Sequence, residues 1–152
     1  TIFTRLLDLG VDPAIMAPAI NIAMAQRLIR RLCEKCKQEY DATKDEQQTI
    51  KADIEMLPDG VVRPELAEPL KLWRAAGCQE CNNTGYKGRT GVFEIILVDD
   101  KIEQMIFKKP SEVDLKKAAK KQGRITMRQD GILKVLAGIT DLAEVERVVG
   151  AG

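Results

Sequence analysis

Four cysteines in two tight pairs constrain this chain more than any other feature. Cys33-Glu34-Lys35-Cys36 and Cys78-Gln79-Glu80-Cys81 are its only cysteines, and it has no histidine. Each CxxC turn brings two thiolates to one side of an ion. Two such turns complete a tetrahedron, with zinc–sulfur distances of about 2.3 Å. A closed four-thiolate site leaves no position for water or substrate, so its expected role is to hold a fold together rather than to catalyse. Disulfide or redox chemistry is the competing reading, because four cysteines allow three connectivities and short CxxC loops can be redox-active. No segment reads as a secretory leader, which favours a reducing setting and metal. Arg30, Arg31, Lys35, Lys37 and Lys87 stand within a few residues of the cysteines. They are placed to offset the net charge of about −2 that four thiolates and one divalent ion carry.

The remaining composition mostly excludes. A chain of 152 residues holds one modest domain or two small units. A net charge of +1 predicts no polyanion partner, and 4% aromatics argues against a base-stacking platform. No apolar run approaches the ~18 residues of a membrane span. Phosphate-loop chemistry needs GxxxxGK[ST], and no Gly-Lys-Ser or Gly-Lys-Thr is present. Neither HExxH nor GxSxG occurs, and no histidine base exists. The sequence starts at Thr1, already inside an apolar-periodic stretch, and reads as a piece of a longer protein.

Residues 2–9 read as the end of a helix closed by Gly10, and Asp12-Pro13 restarts a short one. Residues 22–32 are ambiguous by periodicity: neither alternating set is cleanly apolar, and propensity alone suggests helix. Between the cysteine pairs, Thr43 and Glu46 form a capping-box pattern ahead of Ile50, Ile54 and Leu57, and Pro58-Asp59-Gly60 ends that helix. Val61-Val62 reads as extended, and Pro69 to Ala76 as a small helix with Leu70 and Trp73 on one face. Trp73 is expected in the core. The glycine-rich stretch 85–91 signals a turn, and Val92 to Val98 a strand buried on both sides around Glu94. Four capped helices follow, with signals at Asp100, Ser111/Asp114, Thr126/Gln129 and Thr140 or Asp141, forming a small bundle.

On residues alone this is a zinc-stapled structural or interaction module. The ordered motifs add a resemblance. Thr4-Arg5-Leu6-Leu7-Asp8-x-Gly10 opens the series, followed by Ala25-Gln26-Arg27-Leu28 and Arg30-Arg31-Leu32-Cys33. Gly77-Cys78-x-x-Cys81 and Gly85-Tyr86-x-Gly88-Arg89-x-Gly91-x-x-Glu94 come next. The tail carries Met127-x-x-Asp130-Gly131-x-x-Lys134-Val135-x-x-Gly138-Ile139-Thr140 and Glu144-Val145-x-Arg147-Val148. Together these resemble the C-terminal part of the bacterial type II secretion and type IV pilus assembly ATPases, along essentially the whole chain.

The resemblance implies an α+β fold: a C-terminal piece of a RecA-like ATPase core, with an antiparallel strand pair. An inserted four-cysteine zinc lobe and a C-terminal helical subdomain complete it. Residues 22–32 become a strand, with 89–98 as its neighbour. The implied domains are 1–32, the end of the core; 33–87, the zinc lobe; 88–98, the returning strand; and 99–152, the helical part. A zinc clip at the base of a long excursion ties the ends that loop closure must otherwise hold.

The resemblance also implies structural Zn²⁺ on Cys33, Cys36, Cys78 and Cys81. ATP and Mg²⁺ belong to the parent only, because the nucleotide motifs of the family lie upstream of Thr1. No catalytic residue is therefore assigned here. The parent is implied to be a cytoplasmic homo-hexamer peripheral to the bacterial inner membrane. Its partners would be inner-membrane platform proteins and cytoplasmic adaptors, with no nucleic acid.

Arg27, Arg89 and Glu94 are structural or interface candidates: Glu94 as the partner of either arginine across the strands, the arginines as contacts to a neighbouring subunit. Lys108, Lys109, Lys116, Lys117, Lys120 and Lys121 read mainly as a solvated helix face, with contact to anionic lipid or an acidic platform protein as the alternative. A zinc-ribbon nucleic-acid or protein-interaction module is the other reading, as is a chaperone-type zinc module. Against the latter, Asn83 stands where a CxxCxGxG repeat has its first glycine.

Overall fold

Apolar residues from segments on both sides of the cysteine region are buried in two separate places along this chain. The computed structural model describes residues 2–150, without the side chains of Glu112 and Lys116. Its elements are α1 (Ile2–Asp8), α2 (Pro13–Ala19), β1 (Ile22–Leu32), β2 (Gln38–Asp41), α3 (Lys44–Glu55), β3 (Lys71–Arg74), a 3₁₀ turn (Gln79–Cys81), β4 (Tyr86–Leu97), α4 (Asp100–Phe107), α5 (Glu112–Lys121), α6 (Met127–Leu136) and α7 (Leu142–Val149). The fold is α+β. The chain divides into two compact units. The first comprises Thr1–Ala25, Pro58–Gly60 and Glu94–Ile125, and the second Gln26–Leu57, Val61–Phe93 and Thr126–Gly152.

The first unit is an apolar assembly of short capped helices. Gly10, in the left-handed region at φ 84°, ends α1 as expected, with Gly10 N–H on Leu7 O and Val11 N–H on Leu6 O. Asp12, Asp99 and Ser111 cap α2, α4 and α5 by accepting from the first-turn amides of Ala14, Ile102 and Asp114. Phe3, Met16, Ala17, Ile102, Ile106, Leu115 and Ala118 form its core.

The second unit is built on pairings. β1 and β4 are neighbours in one sheet, as the resemblance implied. They run antiparallel: Cys33 N–H donates to Gly85 O beyond the end that lies in this unit, and Val98 N–H to Asn21 O beyond the end that belongs to the first. β2 and β3 form a second antiparallel pair, Gln38 opposite Arg74 and Asp41 opposite Lys71. Thr43 and Glu46 close the capping box of α3, and Thr126 and Gln129 that of α6. Helix α6 packs on α3 and α7. Gly131 permits the approach to α7, because a Cβ there would lie 2.8 Å from Val145 Cγ1. Ile29, Leu32, Ile50, Leu72, Val92, Ile132, Val135 and Val145 are buried in this unit.

Several expectations are corrected. The stretch around Leu70 to Trp73 is strand β3 and not a helix, because pairing with β2 satisfies its backbone. Val61-Val62 lies outside any regular element. β4 is not buried on both sides: Val92 and Ile96, on one face, are its buried residues. Trp73 is only half-buried, lying against Gly138 rather than deep in the core. The last four helices divide between the units, α4 and α5 in the first, α6 and α7 in the second.

Candidate metal centre

The ends of β1 and β4 bring the two CxxC turns face to face. Cys33 follows β1 directly, and its N–H is tied to Gly85 O at 2.9 Å. Cys36 N–H and Lys37 N–H turn back onto Cys33 O. In the second knuckle, Cys81 N–H and Asn83 N–H turn back onto Cys78 O, and Asn82 and Asn83 adopt left-handed conformations that asparagine tolerates. All four Sγ atoms lie within 4.8 Å of one another. Cys78–Cys81 measures 3.7 Å, Cys36–Cys81 3.8 Å and Cys33–Cys78 3.9 Å. A tetrahedron of thiolates about 2.3 Å from a central ion has edges of about 3.8 Å. A disulfide needs about 2.0 Å, and all four thiols are free. The donor set fits a soft divalent ion in a closed tetrahedral site.

The backbone prepares sulfur for that charge. Cys81 Sγ accepts from the amides of Cys78 and Gly85, both at 3.2 Å, and Cys36 Sγ accepts from Gly77 N–H at 3.3 Å. Burial pushes the Cys81 thiol up, but these amides and its thiol neighbours outweigh that and bring it down to about 6. Burial, with the adjoining sulfurs, pushes Cys36 up to about 11, against the single Gly77 amide. One sulfur is thus poised as a thiolate. An ion binding the set deprotonates the rest outright. Gly85 serves both knuckles at once, donating to Cys81 and accepting from Cys33. Its φ is 77°, and a Cβ added to it would stand 2.5 Å from Ala75 Cβ, so only glycine fits.

The flanking cations are used unequally. Lys87 pairs with Glu80 at 3.0 Å and also feels Cys33 and Cys78. Lys37 reaches Glu34 at 2.7 Å and Gly138 O at 3.1 Å, with Nζ 5.9 Å from the Trp73 ring. Arg30 turns instead to Glu144 on α7, giving its backbone N–H at 2.9 Å, Nε at 3.0 Å and Nη2 at 2.7 Å. Arg147 adds Nε at 2.8 Å and Nη2 at 2.6 Å. The Glu144 side chain is 0% exposed. Burial raises its pKa, but the two guanidiniums and the Arg30 amide outweigh that and hold it at about 2. Arg30 also stacks 3.9 Å from the Tyr86 ring centroid, and Tyr86 Oη donates to Asp141 at 2.6 Å.

Sequence reasoning gave this network no role. Its signal was present in Glu144 and Arg147, an i,i+3 charge pair inside a helix that is apolar apart from these two and Glu146. The other named candidates lie elsewhere. Arg27 is exposed and donates to Val148 O. Arg89 is exposed, and Glu94 is half-buried with no ion pair among the described residues.

The family model of the type II/IV secretion system proteins matches residues 1–147. The chain belongs to that family. It is 39% identical over 95% of its length to the type II secretion system ATPase E of Vibrio cholerae, covering 26% of that protein. It is 39% identical over 96% of its length to the type IV pilus assembly ATPase TfpB of Acinetobacter baylyi, covering 23% of it. The type IV pilus assembly ATPase PilB of Thermus thermophilus matches at 38% over 93% of the chain and 15% of its own length. The chain thus spans only a minor part of each of these family members. No helix among the described residues is long and apolar enough to cross a membrane.

Proposed function

We propose that this chain is the C-terminal, zinc-binding region of an ATPase that powers type II protein secretion or type IV pilus assembly. Three Sγ–Sγ distances of 3.7 to 3.9 Å, with all four sulfurs within 4.8 Å of one another, carry the metal part of this reading. Similarity along the chain to proteins named as secretion and pilus ATPases supports the rest. Zinc, held by Cys33, Cys36, Cys78 and Cys81, is structural: it closes the base of an inserted lobe, residues 33–87, on a strand pair that belongs to a RecA-like core. When bound, the ion supplies charge neutralisation and cross-linking and no reactive position.

ATP and Mg²⁺ are bound by other segments of the parent, a cytoplasmic hexamer at the inner membrane that works on platform and adaptor proteins. Arg27 and Arg89, both exposed, are assigned to contacts between its subunits. The exposed lysines 108, 109, 117, 120 and 121 offer anionic lipid a secondary contact; the Lys116 side chain lies outside the described residues.

Metal analysis of the purified chain, together with an ATPase assay, tests the reading. One zinc per chain and no turnover are expected. ATP turnover by this chain alone, or metal-free protein with cross-linked thiols, would overturn it.

A further inference from the structure

The turn at residues 138–141 and the first turn of α7 draw their outside polar contacts from residues that flank the cysteines. Leu32, one residue before Cys33, gives its N–H to Ile139 O at 2.8 Å. Lys37, one residue after Cys36, gives Nζ to Gly138 O at 3.1 Å. Thr140 Oγ1 donates to Arg30 O at 2.9 Å, and Arg30 grips Glu144 through three donors. Tyr86, next to the Gly85 that bonds Cys81 Sγ, donates to Asp141, whose other oxygen caps α7 by accepting Glu144 N–H at 2.9 Å. Trp73 closes the set, its ring 3.1 Å from where a Gly138 Cβ would stand.

The polar contacts come from two stretches, 30–37 and 86, that are distant in sequence, and the metal centre lies at the point where they converge. A fully buried carboxylate tolerates its site only while its guanidinium partners stay in place. Arg30 stays in place through β1, whose end is fixed at Cys33, and through Tyr86, whose neighbour is fixed at Cys81. If the sulfur cross-link is lost, both supports of Arg30 loosen together. Helix α7 then keeps its apolar contact with α6, through Val145 on Gly131, but loses the polar grip on its N-terminus.

We propose that the metal centre is a latch for this C-terminal segment: the loaded cysteine tetrad holds residues 138–149 in place, and emptying it releases them while the apolar core of the first unit keeps its fold. The proposal rests on the four cysteines holding an ion, as argued above. Coupling of this kind is reciprocal, so whatever frees the segment must also weaken the hold on the metal.

Peptide-resolved hydrogen exchange on the intact protein, zinc-loaded and chelator-stripped, is the direct test. Stripping should raise exchange in 139–149 at least about tenfold and leave α4 and α5 within about twofold. Two variants of the zinc-loaded protein separate the latch from general unfolding: Glu144→Gln, and the milder Tyr86→Phe, which removes only the bond to Asp141. Each should free 139–149 while α3 stays protected, and each should speed zinc transfer to a chromogenic chelator several-fold. If the protein holds no metal, the zinc reading falls and the latch with it. If it holds zinc but 139–149 stays protected after stripping, or both variants leave exchange and zinc transfer unchanged, the latch alone is overturned.

Discussion

The two units of this chain are held by different chemistry. The buried side chains of the first form an apolar core around Phe3, Ile102, Ile106 and Leu115, with single polar atoms of Gln122 and Arg124 buried beside it. Every buried polar or charged residue among those described, Asp53, Gln129, Thr140, Asp141 and Glu144, falls in the second, and so do all four cysteines. Apolar cores are non-directional and tolerate repacking. Buried ions and thiolates stabilise a structure only when each partner is in place. The first unit should therefore yield gradually to mutation and the second abruptly.

The largest effect should come from the metal. Cys81→Ser removes a proposed ligand and the acceptor of two backbone amides. Structural zinc binding is worth on the order of 10 kcal/mol, comparable to the stability of a whole small domain. The unfolding transition of the second unit, read from Trp73, the single tryptophan, should move to much lower urea. Circular dichroism should still show the helices of the first unit. A native Trp73 transition in this variant would remove the contrast between the units.

Next in size is the apolar side. Phe3 is 0% exposed, and Phe3→Ala should destabilise the first unit by about 3–5 kcal/mol. Zinc content should be unchanged by metal analysis. Arg30→Met addresses the charged side, leaving the Glu144 carboxylate with Arg147 as its guanidinium partner. It should lower stability of the second unit by about 3 kcal/mol in urea titration, despite the partial exposure of Arg30.

A pH series sharpens the same point. The folded pKa of Glu144 is about 2 against an ordinary 4.5. A depressed carboxylate stabilises fully above its unfolded value and loses that contribution as pH falls towards the folded one. The gap in urea midpoint between the native protein and Glu144→Gln should therefore hold at neutral pH and narrow from about 4.5 downward. The smallest effect belongs to a surface cap. Ser111→Ala deprives Asp114 N–H of its acceptor and should cost the first unit about 1 kcal/mol in thermal unfolding.

What the sequence revealed follows the range of the interactions. Capping boxes at Thr43/Glu46 and Thr126/Gln129 are local, and the structure contains both. The cysteine pairs were legible because the spacing within each pair is local and only their meeting is long-range. β3 was misread because Leu70 to Trp73 lacks a decisive period. Its partner, Gln38–Asp41, offers no apolar alternation to announce a strand. β1 was ambiguous on its own residues for a related reason: only Ile29 and Leu32 along it are buried, so its sequence carries little of the strand's alternation. Family resemblance resolved it where periodicity could not. The Glu144 network was invisible because its partner, Arg30, lies 114 positions away.

That separation sets an order of events during synthesis. Cys33 and Cys78 are 45 positions apart, and a ribosome adds about 5–20 residues each second. The earlier thiol pair must therefore wait some seconds, half-ligated at best, before its counterpart emerges. Through that interval the nascent chain presents a two-sulfur chelate to whatever metals and oxidants the cell supplies. On the zinc reading proposed above, the tetrad can close only once Cys81 has left the ribosome, so completion of the site is among the late steps of this segment's folding.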